Sequence, residues 1–281
     1  MINLLFGSSG SLGSSIIKII LKKYKNFFFL YISRTRPLGP KSRWVKFDLN
    51  KDISKFKYKK IKHCIFLASP QYLKKNMNLK TFNKEYLWIK KIIKNLKIEK
   101  FIYVSSPTVY LKNHYVGINK HKIEKFLIQK KQKFKFLQIW RPFNLVNTDY
   151  KKHSDHFHSL LYKVMFIHKK LTYKFNGNKY DTRGYSDIDD FSNILLRNAF
   201  LKKSFIKDFG NLNEITVDEI IKIYNKYFNI KFNKIFAPRF VSKKINKNII
   251  KKYSRNNVYS KQSSKNVINK YLLAKLYEKN K

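Results

Sequence analysis

One cysteine, Cys64, stands among the 281 residues, so no intramolecular disulfide can form and a reducing cytoplasm is the expected home. Glycine and proline are scarce, at eight and six residues, which excludes collagen-like and low-complexity architectures. Lysines break every apolar run, the stretch from Ile16 to Ile32 included. None therefore reaches the roughly 18 to 20 uncharged residues that a membrane span needs. Acidic side chains are few, with 16 Asp and Glu against 62 Lys and Arg, a formal net charge of +46. Arginine is scarce within that excess, 8 Arg beside 54 Lys, and the other crowded types, Ile, Asn, Phe and Tyr, share A/T-rich codons. That pattern marks a biased genome. The lysines are spread over every segment without a block or stripe, so contact with nucleic acid or an anionic membrane is expected to be non-specific and salt-sensitive.

What the chain does have is apolar mass. At 43% hydrophobic and 16% aromatic it can bury a sizeable core, which excludes intrinsic disorder. Ile2 to Phe6 is a short apolar run, followed by a small-residue turn and then Ile16, Ile17, Ile20 and Leu21 at helical spacing. Further strands are predicted at Phe27 to Ile32, Trp44 to Phe47, His63 to Ala68, Phe101 to Val104 and Phe136 to Trp140. Helices are predicted between them, one with Leu79, Phe82, Tyr86, Ile89, Ile93 and Leu96 on one face, another over Ile118 to Gln129. Strands alternating with helices imply a parallel sheet covered on both faces, a doubly wound α/β domain. The N-terminus lacks a basic n-region and is not read as a signal peptide.

After Arg141 and Pro142 the rhythm changes. An apolar helix near Leu160 to Ile167, a strand at Leu171 to Phe175, a helix over Asp218 to Phe228 and a lysine-rich tail from Val241 describe a smaller second lobe. The expected division is 1–145 with 184–212 returning to it, against 146–183 and 213–281.

Gly7, Gly10 and Gly13 stand at GxxGxxG spacing between the first strand and the first helix, with Ser9, Ser11 and Leu12 interleaved. Glycines there permit a tight turn and close backbone approach, so amides at a helix N-terminus can face a pyrophosphate. With Phe47-Asp48-Leu49, Leu67-Ala68, Asn83, Ser105 to Tyr110, Lys120 to Glu124, Arg141 to Asn144, Gly177 to Asp190 and Phe209-Gly210-Asn211, the chain resembles the extended short-chain dehydrogenase/reductases. That branch holds sugar-nucleotide epimerases, dehydratases and reductases.

The resemblance implies a Rossmann-type sheet with a smaller C-terminal substrate lobe, and NAD(P) in the glycine turn, with Asp48 and Leu49 flanking adenine and Ala68 lining a ribose. Where an acidic residue would bind the adenosine ribose of NAD, the chain has Ser33-Arg34-Thr35-Arg36. Arg34 suits a 2′-phosphate, so NADP is the leading cofactor and NAD the alternative. The implied catalytic group is Ser106, a tyrosine, and Lys120, which lowers the cost of the phenolate and holds the nicotinamide ribose. The tyrosine departs from the pattern. Four residues before Lys120 stands Val116, and Tyr115 is one residue early; on a helix a five-residue gap is about 140° out of line. Tyr115 meets Lys120 only from just before the helix or through a bulge.

Tyr110, Asn144 and Arg183 are the implied substrate contacts, Arg183 through a bidentate diphosphate grip. Asp189 and Asp190 are expected to cap a helix. His153, Asp155, His156 and His158 match no standard metal spacing, and no metal is expected. The implied activity is C4 epimerisation or 4-keto reduction of a nucleotide-sugar substrate in polysaccharide or related glycan synthesis, by a homodimer formed through the two helices named above. The alternative is a non-catalytic NADP-binding scaffold or sensor of the same fold.

Overall fold

A computed structural model describes residues 1–70, 79–110, 115–147, 161, 172–175, 180, 182–228, 233–236 and 258–279. In the first part of the chain the elements are β1 (Ile2–Phe6), α1 (Ser11–Lys23), β2 (Phe29–Ser33), β3 (Trp44–Lys46), β4 (Lys60–Phe66), α2 (Leu79–Asn95), β5 (Lys97–Val104), α3 (Tyr115–Gln129) and β6 (Phe136–Pro142). There follow β7 (Leu145–Val146), β8 (Thr172–Phe175), β9 (Thr182–Arg183), β10 (Ser186–Asp187), α4 (Ile188–Ala199), β11 (Phe205–Gly210) and β12 (Ile215–Thr216). Last come α5 (Val217–Phe228), β13 (Asn233–Phe236), β14 (Val258–Tyr259) and α6 (Ser264–Lys279).

The main sheet has eight strands in the order β14-β11-β6-β5-β4-β1-β2-β3. From β3 through β6 neighbouring strands run parallel. A parallel sheet covered by helices buries both faces, which is why its strands read as unbroken apolar runs. All five residues of β2 are buried, and Leu4, Leu5 and Phe6 of β1 have no solvent exposure. The chain winds from β1 outward to β3, then returns through β4 on the other side of β1. The order therefore reverses between β1 and β4, and the loops leaving those two strands flank the crevice where such sheets bind ligands.

Two compact units divide the chain: Met1–Pro142 with Phe191–Asp208, and Phe143–Asp190 with Phe209–Lys281. These boundaries differ from the expected 145, 184 and 212. The Phe143 amide donates to the Phe209 carbonyl and β7 pairs with β10, so the backbone just after Pro142 is bonded within the second unit. The first unit's core runs through Phe6, Ile32, Phe66, Ile89, Phe101, Ile123 and Ile139. The second has its own core around Tyr185, Ile215, Ile220, Tyr224, Ile268 and Leu272. There Asn211 Nδ2 donates to the Tyr185 carbonyl at 2.8 Å, and Lys270 Nζ pairs with the buried Asp187 at 2.6 Å.

β5 begins at Lys97, four residues before the apolar run that announces it, because Lys100 sits inside the strand with its side chain buried. Lys100 Nζ donates to the carbonyls of Ala199, the last residue of α4, and Leu201 just beyond it, and burial pushes its ammonium down to about 8. α6 is absent from the sequence reading; Val267, Ile268, Tyr271 and Leu272 give it a buried face amid its lysines. The expected helix near Leu160 to Ile167 lies outside the described residues except for Leu161. Among the described residues no helix is long and apolar enough to cross a membrane.

His63 of β4 is buried beside Lys100, and its Nδ1 meets Asn3 Oδ1 at 2.7 Å. Asn3 Nδ2 donates to the Phe28 carbonyl, which orients the amide oxygen toward an imidazole N–H. Burial first, then the Lys100 and Lys62 charges, push the imidazole down to about 4 from its ordinary 6.5. Above 6.5 neither folded nor unfolded chain protonates this ring. As pH falls from 6.5 toward 4 only the unfolded chain does, so stability is lost. The expected loss is about 2 kcal/mol after allowance for solvent screening. Urea unfolding of wild type and His63→Gln checks it: the stability difference between them should shift across this window, and a constant difference rules the linkage out.

Candidate functional site

Gly7 follows β1 with φ of +80°, a conformation that L side chains rarely adopt. A Cβ there would lie 2.7 Å from the Ala68 amide nitrogen, so only glycine lets the turn after β1 pass against the end of β4. Gly13, in the first turn of α1, is closed off in the same way. Its Cβ would stand 2.6 Å from both the Gly7 and Ser8 carbonyl oxygens. Gly10 is different, because a Cβ there would meet only the Gly7 oxygen at 3.5 Å. The protein's own packing does not demand glycine at position 10. Gly10 is also the N-cap of α1, without a side-chain capping bond and without an acidic residue in the following turn. Uncapped amides, a positive dipole end and open space in front of them fit a dinucleotide's pyrophosphate.

The other expected cofactor residues lie in the turn itself and just after β2, β3 and β4. Arg34 is exposed just past β2, as is Arg36. Asp48 accepts from the Asn50 amide at 2.9 Å and from Asn50 Nδ2 at 3.0 Å, which fixes its loop. Leu49 and Ala68 pack against the first unit's core. Ser9, Ser11 and Leu12 lie in the turn and the first turn of α1.

Ser106 Oγ accepts from the Thr108 amide at 3.2 Å and from Thr108 Oγ1 at 3.0 Å, so it organises the short 3-10 turn over Pro107–Tyr110. α3 already begins at Tyr115, which places Tyr115 and Lys120 in one helix. The structure does not bring them to one face. Tyr115 is 58% exposed, whereas Lys120 is 5% exposed. Lys120 Nζ pairs with Glu85 Oε1 of α2 at 2.6 Å and lies 5.1 Å from the centre of the Tyr103 ring. Glu85 also accepts from the Tyr103 hydroxyl and from Ser69 Oγ, both at 2.9 Å.

Beside this pair lies a second buried ionic group. Ser105 Oγ donates to Glu124 Oε1 at 2.5 Å, and Arg141 grips Glu124 through Nε and through Nη2, the latter at 2.5 Å from Oε2. Arg141 Nη1 donates to the Tyr110 hydroxyl at 2.6 Å, and that hydroxyl donates to Asp208 Oδ2 at 2.7 Å. Burial raises the Tyr110 phenol and the Asp208 carboxyl above their ordinary values, with Arg141 opposing both. Arg141 itself is disfavoured by burial yet held protonated by its bonds to Glu124. Tyr110, expected to face substrate, thus has its hydroxyl engaged inside the first unit.

In the second unit Asn144 has φ of +38°, a region that asparagine tolerates better than most residues. Its Nδ2 donates to the Gly184 carbonyl at 3.1 Å. Arg183 is half-buried in β9, with Nη1 donating to the Thr182 carbonyl at 3.2 Å. Asp187 caps α4 by accepting from the Asp189 amide at 2.8 Å; Asp190 accepts from Ser260 Oγ and the Lys261 amide, ordering that loop. Among the described residues no group of three His, Cys, Asp or Glu is placed to hold a metal ion. His153, Asp155, His156 and His158 lie outside them.

Glu85 and Asp208 escape the sequence reading. Glu85 had a signal: it stands four, seven and eleven residues before Ile89, Ile92 and Leu96, on the buried face of α2. Asp208, in a short β11, had none.

A parallel sheet with its order reversed between β1 and β4 and a glycine turn at the reversal defines a Rossmann-type nucleotide-binding fold. Solved structures of sugar-nucleotide epimerases share this fold and match nearly the whole chain. Similar structures include UDP-glucuronic acid 4-epimerase from Bacillus cereus in complex with NAD, at 20% identity and TM-score 0.72, covering 98% of this chain and 99% of that one. UDP-glucose 4-epimerase from Thermotoga maritima, with UDP-glucose, is 14% identical with TM-score 0.69, covering 100% and 99%. ADP-L-glycero-D-manno-heptose-6-epimerase from Helicobacter pylori is 15% identical with TM-score 0.68, covering 96% and 94%. No family model and no curated protein matches the sequence.

Proposed function

We propose that this chain is an NAD(P)-dependent enzyme of the extended short-chain dehydrogenase/reductase family that epimerises, or reduces at a 4-keto group, a nucleotide-activated sugar for polysaccharide or related glycan synthesis. The observation that carries the reading is the turn at Gly10. It leaves open space before an uncapped helix N-terminus at the sheet's switch point, where the fold has no packing reason to use glycine. The sugar-nucleotide substrate is supported by the likeness to epimerases that bind UDP-sugars. Asn144 and Arg183 are the proposed diphosphate contacts. The exposed Arg34 favours NADP, while the NAD found with the Bacillus cereus epimerase favours NAD.

When bound, the nicotinamide supplies and accepts hydride. The chain's part is to bind and orient that ring and to move a proton at the reacting oxygen. Ser106 Oγ already accepts from Thr108, so its own hydroxyl proton remains to be donated to that oxygen. Lys120 is proposed to hold the ribose, and Tyr115, accessible at the start of α3, to exchange the proton.

One observation favours the second reading, a non-catalytic dinucleotide-binding scaffold. Tyr115 is 58% exposed whereas Lys120 is 5% exposed on the same helix, which does not support a direct pairing of the two. Fluorescence titration with NADPH and NADH, then addition of nucleotide 4-keto sugars and analysis of the products, separates the two. Turnover that falls by about 100-fold or more in Tyr115→Phe, with cofactor affinity unchanged, is the expected result. Binding without turnover or epimerised product establishes the scaffold, and no binding of either cofactor overturns both.

A further inference from the structure

Lys120 and Glu85 form a buried pair whose purpose the fold alone does not supply. Glu85 has no solvent exposure, and the Lys120 side chain is 6% exposed. Around the ammonium stand Glu85 from α2 and the Tyr103 ring from β5; one turn along α3, Glu124 is already taken by Arg141 and Ser105. Among the described residues, Glu85 is thus the one carboxylate bonded to Lys120. Ser69 and Tyr103 hold the carboxylate still from its other sides. The bond to Glu85 uses one of three ammonium protons, leaving donors for ribose hydroxyls.

We propose, resting on the dinucleotide reading above, that Glu85 is a positioning residue for the cofactor: its buried carboxylate, held by Ser69 and Tyr103, is the counter-charge that fixes the Lys120 ammonium where it can grip the ribose. With valine at position 116, the lysine's work is directed to the cofactor and not to a phenol four residues before it.

The test measures NADH and NADPH affinity by fluorescence between about pH 6 and about pH 9 for wild type, Glu85→Gln, Lys120→Met and the double variant. Glutamine keeps the size and hydrogen-bonding capacity of Glu85, and the double variant removes both charges together; circular dichroism and urea unfolding of each variant establish that it is folded before its affinity is read. Wild-type affinity should vary by less than about twofold. Glu85→Gln should match it at the acid end and weaken by about tenfold or more toward the alkaline end, as the unpaired lysine loses its proton. The double variant should follow Lys120→Met within about twofold, with no pH trend.

A second readout needs no cofactor. At alkaline pH the folded Glu85→Gln chain, with its lysine unpaired, binds fewer protons than the unfolded one, so its stability relative to wild type should rise with pH while its affinity falls. Glu85→Gln affinity equal to wild type throughout, or weakened equally at every pH, overturns the proposal while leaving the dinucleotide reading intact. Failure of wild type to bind either cofactor overturns the reading and the proposal together.

Discussion

Alanine at position 13 should cost the first unit about 3 kcal/mol or more and abolish dinucleotide binding. The added methyl would stand 2.6 Å from two backbone carbonyl oxygens, those of Gly7 and Ser8. Neither can retreat alone. Gly7 is bonded through its amide to the Ile32 carbonyl at 3.0 Å, so relief of the clash must move the turn off β2 or tilt α1 away from the sheet. Gly10→Ala provides the contrast. Its methyl meets no atom closer than 3.5 Å, so the unfolding midpoint should stay near wild type while affinity for NADH and NADPH falls, because the methyl occupies the space before the α1 amides. Urea unfolding and fluorescence titration of the two variants check the pair of outcomes. Equal affinity of Gly10→Ala and wild type would place the dinucleotide elsewhere.

Arg141→Met should be nearly as severe, at about 3 to 5 kcal/mol, the range for a buried ion pair that loses one partner. The Glu124 side chain is 3% exposed and would keep only Ser105, while Tyr110 and Asp208 would also lose their cation. Replacing Glu124 by glutamine in the Arg141→Met background removes the stranded charge and should recover a large part of the deficit. Acid should do the same. Without Arg141 the Glu124 carboxylate is a buried charge left without its cation, and acid that neutralises it removes that penalty. Unfolding of Arg141→Met should therefore approach wild type near about pH 4, relative to neutral pH. A deficit that does not narrow in acid would mean that packing, not charge, is what Arg141 supplies.

Much of this architecture was legible along the chain. The strands flanking the switch point announce themselves as short apolar runs because both faces are covered, and α2 and α3 show helical period. The glycine spacing gave the turn its place. What escaped is tertiary in origin. β7, β9, β10 and β12 are two residues each, too short to carry a period. Asp208 meets Tyr110 across 98 positions, and no local pattern marks such a partner. Tyr115 and Lys120 were the reverse case, since their five-residue gap already stated the angular conflict that α3 displays. Glu85 was readable in principle as an acid on an apolar face, yet only its position opposite Lys120 gives it meaning.

The placement of the acids changes what the solvent meets. Glu85, Glu124, Asp187 and Asp208 are each no more than 4% exposed, and each is paired with Lys or Arg. Of the 16 acidic residues in the sequence, four are thus withdrawn from the exterior, while the cations they neutralise are few beside the 62 available. Folding concentrates one sign of charge on the outside and must gather small anions from solution as it does so. Ionic strength then acts on this chain as a ligand does: raising the concentration of chloride or phosphate favours the compact state by mass action.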